Sequence, residues 1–222
     1  MEKNNGKVIA IVALLVGVVA LSVGFAAFAD TLTIDGSAVA KPGDNPFDDQ
    51  TTGGLRYKAT TMECHSTAAP NTNVITEGYS AGTLSDDSWS AIKVPLTKEV
   101  PSVTCTAVVE NKSKYVAYLR SIAANAGITC ASKGANAEAN ANSVCANTKV
   151  VAQFGTETND KIEFGTEKPA ENKNTNGSIA AESGESTVTV TISYDPTKIV
   201  ADEDVTITLP TISHNYSSAK SE

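Results

Sequence analysis

Thr187-Val188-Thr189-Val190-Thr191-Ile192-Ser193-Tyr194 alternates polar and apolar residues at every step. Successive side chains of a strand point to opposite faces, so Val188, Val190, Ile192 and Tyr194 share one side and the hydroxyls the other. Branching at Cβ restricts χ1 and suits these residues to a pleated, half-buried surface. A strand buried on both faces would read as continuous hydrocarbon. One wet face therefore means antiparallel sheet. Asp204–Leu209 repeats the pattern with Val205, Ile207 and Leu209 inward, and Asp195-Pro196-Thr197-Lys198 between the two reads as a turn.

Working outward, Thr31–Ile34, Leu55–Met62, Ala91–Leu96, Val103–Val109, Lys149–Phe154 and Lys161–Phe164 are further short runs rich in Val, Ile, Thr and Tyr. Such runs separated by turn residues predict an all-β chain, an antiparallel β-sandwich. Phe154-Gly155-Thr156-Glu157 recurs as Phe164-Gly165-Thr166-Glu167, which predicts a hairpin whose strands each end at a glycine. Tyr115, Tyr118, Leu119 and Ile122 sit at helical spacing, and Gly127 would cap such a helix. The same stretch also reads as a strand after the turn Asn111-Lys112-Ser113, and strand is the reading adopted, with a short helix allowed after it. Segments 131–144 and 170–186, rich in Asn, Ser, Gly, Ala or Glu, are expected as mobile loops.

The N-terminus has a different character. Met1–Lys7 carries Lys3 and Lys7, and Val8–Ala29 is apolar apart from Gly17, Ser22 and Gly24. A positive n-region, an apolar h-region and small residues at its exit form an export signal, here a hydrophobic signal helix. Ala27-Phe28-Ala29 permits a cut after residue 29, and Gly24-Phe25-Ala26 permits one between Ala26 and Ala27. The alternative is an uncleaved membrane anchor, for which about 20 apolar residues suffice. Residues 1–26 are read as signal peptide and 27–222 as a single secreted domain, extracellular or at the cell surface.

Loss of residues 1–26, which hold Glu2, Lys3 and Lys7, takes the net charge from −8 to −9. That balance disfavours nucleic acid, whose phosphates are met by Lys and Arg. It gives no attraction to an anionic lipid surface, so contact with membrane is expected only through an uncleaved signal. The four cysteines, Cys64, Cys105, Cys130 and Cys145, suit disulfides in an oxidising compartment. Three pairings are open. The shortest closure joins Cys130 to Cys145, which leaves Cys64 with Cys105 across two strands. No cysteine pair has zinc-ribbon spacing.

Catalytic patterns are sparse. His65 and His214 lack H-E-x-x-H context, no serine lies in G-x-S-x-G, and Thr52-Gly53-Gly54-Leu55 lacks the lysine of a phosphate loop. His65, beside Cys64, is expected in an exposed loop. Asp44, Asp48 and Asp49 read as an acidic turn, since calcium-loop spacing is missing. Leu209-Pro210-Thr211-Ile212-Ser213 begins like a sortase signal but lacks its Thr-Gly. Asn111, Asn176 and Asn215 each open an Asn-x-Ser glycan pattern. The expectation is a protein with no enzymatic activity, no cofactor and no metal.

Val18-Val19-Ala20-Leu21-Ser22-Val23-Gly24-Phe25-Ala26-Ala27-Phe28-Ala29-Asp30-Thr31-Leu32 resembles the signal region of camelysin/TasA-like exported proteins of Gram-positive bacteria. The resemblance implies cleavage by a dedicated signal peptidase between Ala26 and Ala27. It also implies a jelly-roll-like sandwich that assembles into extracellular fibres of the biofilm matrix, in which an N-terminal strand of one subunit completes the sheet of the next. Ala27–Ala40, with Leu32 and Ile34 on its apolar face, is the corresponding donor strand. The four cysteines depart from the family pattern. A surface adhesin using loops 71–88 and 131–144, or a pilin-like subunit that keeps its hydrophobic helix, are the alternatives.

Overall fold

A computed structural model describes residues 54–58, 61–67, 69–85, 87–133, 137–198 and 205–220. The expected signal, its junction at Ala26 and Ala27, the donor-strand residues Leu32 and Ile34, and the acidic turn of Asp44, Asp48 and Asp49 lie outside them. In chain order the strands are β1 (Leu55–Tyr57), β2 (Glu63–Ser66), β3 (Thr83–Leu84), β4 (Ser88–Ser90), β5 (Lys93–Leu96), β6 (Ser102–Asn111), β7 (Ala117–Ala124) and β8 (Thr129–Ser132). Helix α1 (Ala137–Ala146) follows, then β9 (Thr148–Phe154), β10 (Lys161–Phe164), β11 (Ser178–Ile179), β12 (Gly184–Tyr194), β13 (Val205–Thr208) and β14 (Ile212–Ser217).

Every described strand pairing is antiparallel, and the sheets curl into a sandwich-like arrangement. The first sheet runs β1-β6-β12-β9-β10, with β2 lying on β6 beyond β1. The second runs β11-β7-β14-β4-β3, and the third β5-β13-β8. The alternating stretch forms the heart of the first sheet: Val190 faces Cys105 on one neighbour and Ala152 on the other. Val188, Val190, Ile192 and Tyr194 are all buried, as are Val205 and Ile207 of β13 and Leu209 just beyond it. Burying each such side chain contributes about 1.5–3 kcal/mol relative to leaving it in water.

The two glycine-terminated repeats form the β9–β10 hairpin, with Phe164 opposite Val150. Gly155, which follows β9, has φ +72, a left-handed backbone that suits glycine. At the turn after β12, Asp195 Oδ1 accepts the Thr197 N–H at 3.0 Å and opens a short 3₁₀ turn over Pro196–Lys198.

Segment 131–144, expected as a loop, instead holds the end of β8 and most of α1. Alanine has the best helix propensity, and Glu138 in the first turn complements the helix dipole. The helix ends where Asn147 Nδ2 donates to the Ser143 carbonyl and Thr148 Oγ1 to that of Val144. Segment 170–186 likewise holds β11 and the start of β12.

Two disulfides brace the body. Cys64 of β2 lies directly opposite Cys105 of β6, with Cα atoms 4.0 Å apart. Cys130 of β8 reaches Cys145 of α1 across 5.8 Å between Cα atoms, which ties the helix to the third sheet. Such bonds form and persist in oxidising compartments.

Candidate functional site

A histidine sits in the core where hydrocarbon would be expected. His214 on β14 is 1% exposed and ringed edge-on by Phe154, Tyr216 and Tyr57, at centroid distances of 5.0, 5.1 and 5.2 Å. Neither ring nitrogen has a hydrogen-bond partner, and the buried Tyr57 hydroxyl also has none. Burial pushes the His214 pKa down to about 3, so the ring is neutral at ordinary pH. Among the described residues, no hydroxyl, thiol or carboxylate meets either nitrogen of the His214 ring.

Beside this cluster lies a cavity of about 530 Å³, within the range of small-molecule sites. Phe154, Thr187 and Thr189 line it from the first sheet, and Leu119, Ile179 and Tyr216 from the second. Glu157 and Asp160, from the β9–β10 turn, and Glu185 of β12 add three carboxyl groups. No Lys, Arg or His side chain is among the described residues that line it.

Asp160 is held by the turn that carries it. Its carbonyl accepts the Phe154 N–H at 2.8 Å, and its own N–H donates to the Glu157 carbonyl at 3.1 Å. The side chain is 0% exposed, and Oδ1 accepts the Asn176 N–H at 2.7 Å. The Gly177 amide adds electrostatic support, but Oδ2 has no well-formed hydrogen bond. Burial raises the Asp160 pKa, the Asn176 and Gly177 amides oppose the rise, and Glu157 reinforces it. Glu185 is paired with Lys58, whereas among the described residues no cation meets Glu157 or Asp160.

Among the described residues, no three His, Cys, Asp or Glu side chains come together closely enough to hold an ion. His65 is half-buried on β2, not in an exposed loop, because its strand is pinned to β6 beside the Cys64–Cys105 bond. Its Nε2 lies 3.1 Å from Glu63 Oε2.

Asn111 is fully buried and structural. Its Nδ2 donates to the Tyr115, Ile179 and Ala180 carbonyls at 2.8, 3.2 and 3.1 Å. Its Oδ1 accepts from the Ser113 amide at 3.0 Å and from the Ser113 hydroxyl at 2.7 Å. Of the asparagines in Asn-x-Ser patterns, Asn176 and Asn215 are exposed and Asn111 is not.

Sequence reasoning passed over Asp160. It reads as one residue of a hairpin tip, and its partners Asn176 and Gly177 fall in a stretch whose composition suggests a loop. The pairing depends on β11 docking against β7, which no local pattern encodes.

No family model matches the chain, and no curated protein matches it. Among solved structures, it is similar to the adhesin domain of Epf from Streptococcus pyogenes. The identity is 13% and the TM-score 0.20, over 72% of this chain and 58% of that one. At that score the likeness assigns neither fold nor function.

Proposed function

We propose that the chain is an exported structural subunit of the cell surface or biofilm matrix, a disulfide-braced β-sandwich that acts through its surfaces and not through catalysis. Polymerisation follows when Ala27–Ala40, with Leu32 and Ile34, adds a strand to a sheet edge of another copy. The observation that carries this reading is β1. It hydrogen-bonds to β6 on one side and pairs with no other described strand. A strand edge with unpaired N–H and C=O groups is a template for another chain. The two disulfides and the acidic surface fit an extracellular location. The resemblance of the export junction to camelysin/TasA-like proteins supports the same direction.

Mass spectrometry of the secreted protein gives the first test, with a mature N-terminus expected at Ala27 or Asp30. Electron microscopy of that protein should then show filaments that vanish when residues 27–40 are deleted, while the truncated body stays folded. Filaments unchanged by the deletion would refute strand donation. A second reading, a surface module that binds a ligand, is favoured by the cavity at Asp160.

A further inference from the structure

We propose that the Cys130–Cys145 bond is a reducible clip, opened by an external dithiol while Cys64–Cys105 stays closed, and that its opening releases α1. This does not depend on fibre formation. The unequal burial of the two bonds is the first ground. Cys64 is 1% exposed and Cys105 0%, on paired strands of the first sheet. Residues 72–74 cover the other edge of β2, where the Val74 N–H donates to the Cys64 carbonyl at 3.3 Å. Cys130 and Cys145, by contrast, are both half-buried. Exchange needs a thiolate to reach a disulfide sulfur, and exposed disulfides are the labile, regulatory ones.

The second ground is what each bond holds. Helix α1 has 10 residues, whereas isolated helices shorter than about 12–15 are marginal in water. Its buried residues are Asn140 and Val144, so little apolar area holds it in place. Cys130 lies opposite Ile207 in register, and opposite residues share a face. The clip therefore seats α1 on the side of the third sheet that carries Val205 and Ile207, both 0% exposed. A weak cover over an apolar face depends on its fastening. Cys64–Cys105 fastens nothing comparable, because β2 is already held along its length by its backbone ladder to β6.

The step is thiol–disulfide exchange. One thiolate of the dithiol attacks a sulfur of the pair, forms a mixed disulfide and expels the other cysteine as a thiolate, which takes up a proton. The second thiol then displaces the bound cysteine. Cys130 and Cys145 gain an electron pair and end as thiols, and the dithiol ends as its own disulfide. Once open, α1 stays tethered to β8 and β9, and the Thr148 hydroxyl still ties its last turn through the Val144 carbonyl. The loss therefore falls on the earlier turns, and reoxidation re-forms the clip. Two sources share this chemistry, a small dithiol and a dithiol protein.

Differential alkylation of the folded mature protein separates the outcomes. Dithiothreitol is added without denaturant, free thiols are trapped with iodoacetamide at intervals, and peptide mapping assigns them. Cys130 and Cys145 should be labelled at least roughly tenfold sooner than Cys64 and Cys105, because attack on the buried pair awaits opening of the sheet. Amide hydrogen exchange over residues 137–143 should speed up once the first pair is reduced and return to its starting rate on reoxidation. Thioredoxin in place of dithiothreitol distinguishes the sources. Opening by thioredoxin identifies a dithiol protein, and opening by dithiothreitol alone identifies a small dithiol. Release of both pairs together, labelling of Cys64 and Cys105 first, no labelling short of denaturation, or unchanged exchange in α1 after reduction would overturn the proposal.

Discussion

Gly177 packs so tightly against Asp160 that a methyl group on its α-carbon would stand 2.2 Å from Oδ2 and 3.2 Å from Cγ. The glycine cannot retreat freely, because its carbonyl accepts the Leu119 N–H at 2.9 Å. The carboxylate is equally fixed by the Asn176 amide. Gly177→Ala should therefore force one of these bonds open and destabilise the fold by about 1–3 kcal/mol, the usual range for overpacking. Urea denaturation reads this as a lower midpoint at unchanged slope. A midpoint equal to that of the parent would mean that Asp160 swings aside at no cost.

Asn111 ties the end of β6 to the loop before β7, to the last residue of β11 and to the residue that follows it. Replacing it with alanine removes the Asn111 donor from the buried Ile179 carbonyl and from the part-buried Ala180 carbonyl, and leaves the Tyr115 carbonyl to the Ser113 hydroxyl alone. The expected loss is about 3 kcal/mol, because buried groups left without partners carry their full desolvation penalty. Asn111→Asp should be at least as damaging, since it sets a carboxylate against carbonyl oxygens. Thermal melting of both variants checks the order. The same bonds occupy the nitrogen to which a glycan would attach, so occupancy at Asn111 in folded protein should be nil by mass spectrometry.

The Cys130–Cys145 bond closes a separation of 15 residues, and Cys64–Cys105 one of 41. In the chain-entropy picture a loop of the first size is worth about 3 kcal/mol and the longer one somewhat more. Cys130→Ala with Cys145→Ala should lower stability by about that amount. It should also release α1, whose other buried contacts are Asn140 and Val144. Circular dichroism would then show lost helix signal with the strand signal kept. If the helix signal persists, packing against the third sheet is enough to hold it.

How far the chain could be read in advance depended on whether local pattern and tertiary setting agreed. In β12 they do, since each polar residue is wetter than its apolar neighbours and the period of two survives from Val188 to Tyr194. In β7 they do not. Ala117 and Leu119 face inward, but so do Ile122 and Ala124, because the register with β14 shifts between Asn215 and Tyr216. That bulge turns a spacing of two into one of three, which is why Leu119 and Ile122 mimic a helix. Helix α1 was hidden for the opposite reason. It buries only Asn140 and Val144 and so shows almost no apolar stripe. The Asp160 cavity was illegible because its walls come from strands far apart in sequence, joined only by the fold.

His214 makes stability depend on acid in a way that can be isolated. Its pKa is about 3 in the folded protein and close to the ordinary value of 6.5 once unfolded. Between those values the unfolded chain binds a proton that the folded one refuses. Stability from this group is therefore complete above pH 6.5 and falls as pH drops toward 3, by roughly 3 kcal/mol at about pH 4. Asp160 acts in the opposite sense. Its raised pKa means that acid relieves an unfavourable charge, which offsets part of the loss. Glu163, lowered to about 2 by Lys149 and Lys161, is exposed, and its modest support begins to fade as pH falls below the ordinary value of 4.5 and is gone once acid has carried it through about 2. Histidine can be separated from the carboxyl groups by His214→Phe, which keeps an aromatic ring among Tyr57, Phe154 and Tyr216 and removes two nitrogens without partners. That variant should be at least as stable as the parent at pH 7, and its denaturation midpoint should stay nearly level from pH 6.5 down to about pH 5, where the parent's declines. Parallel curves for the two proteins would show that His214 gains a proton while still folded, with water reaching the aromatic ring cluster.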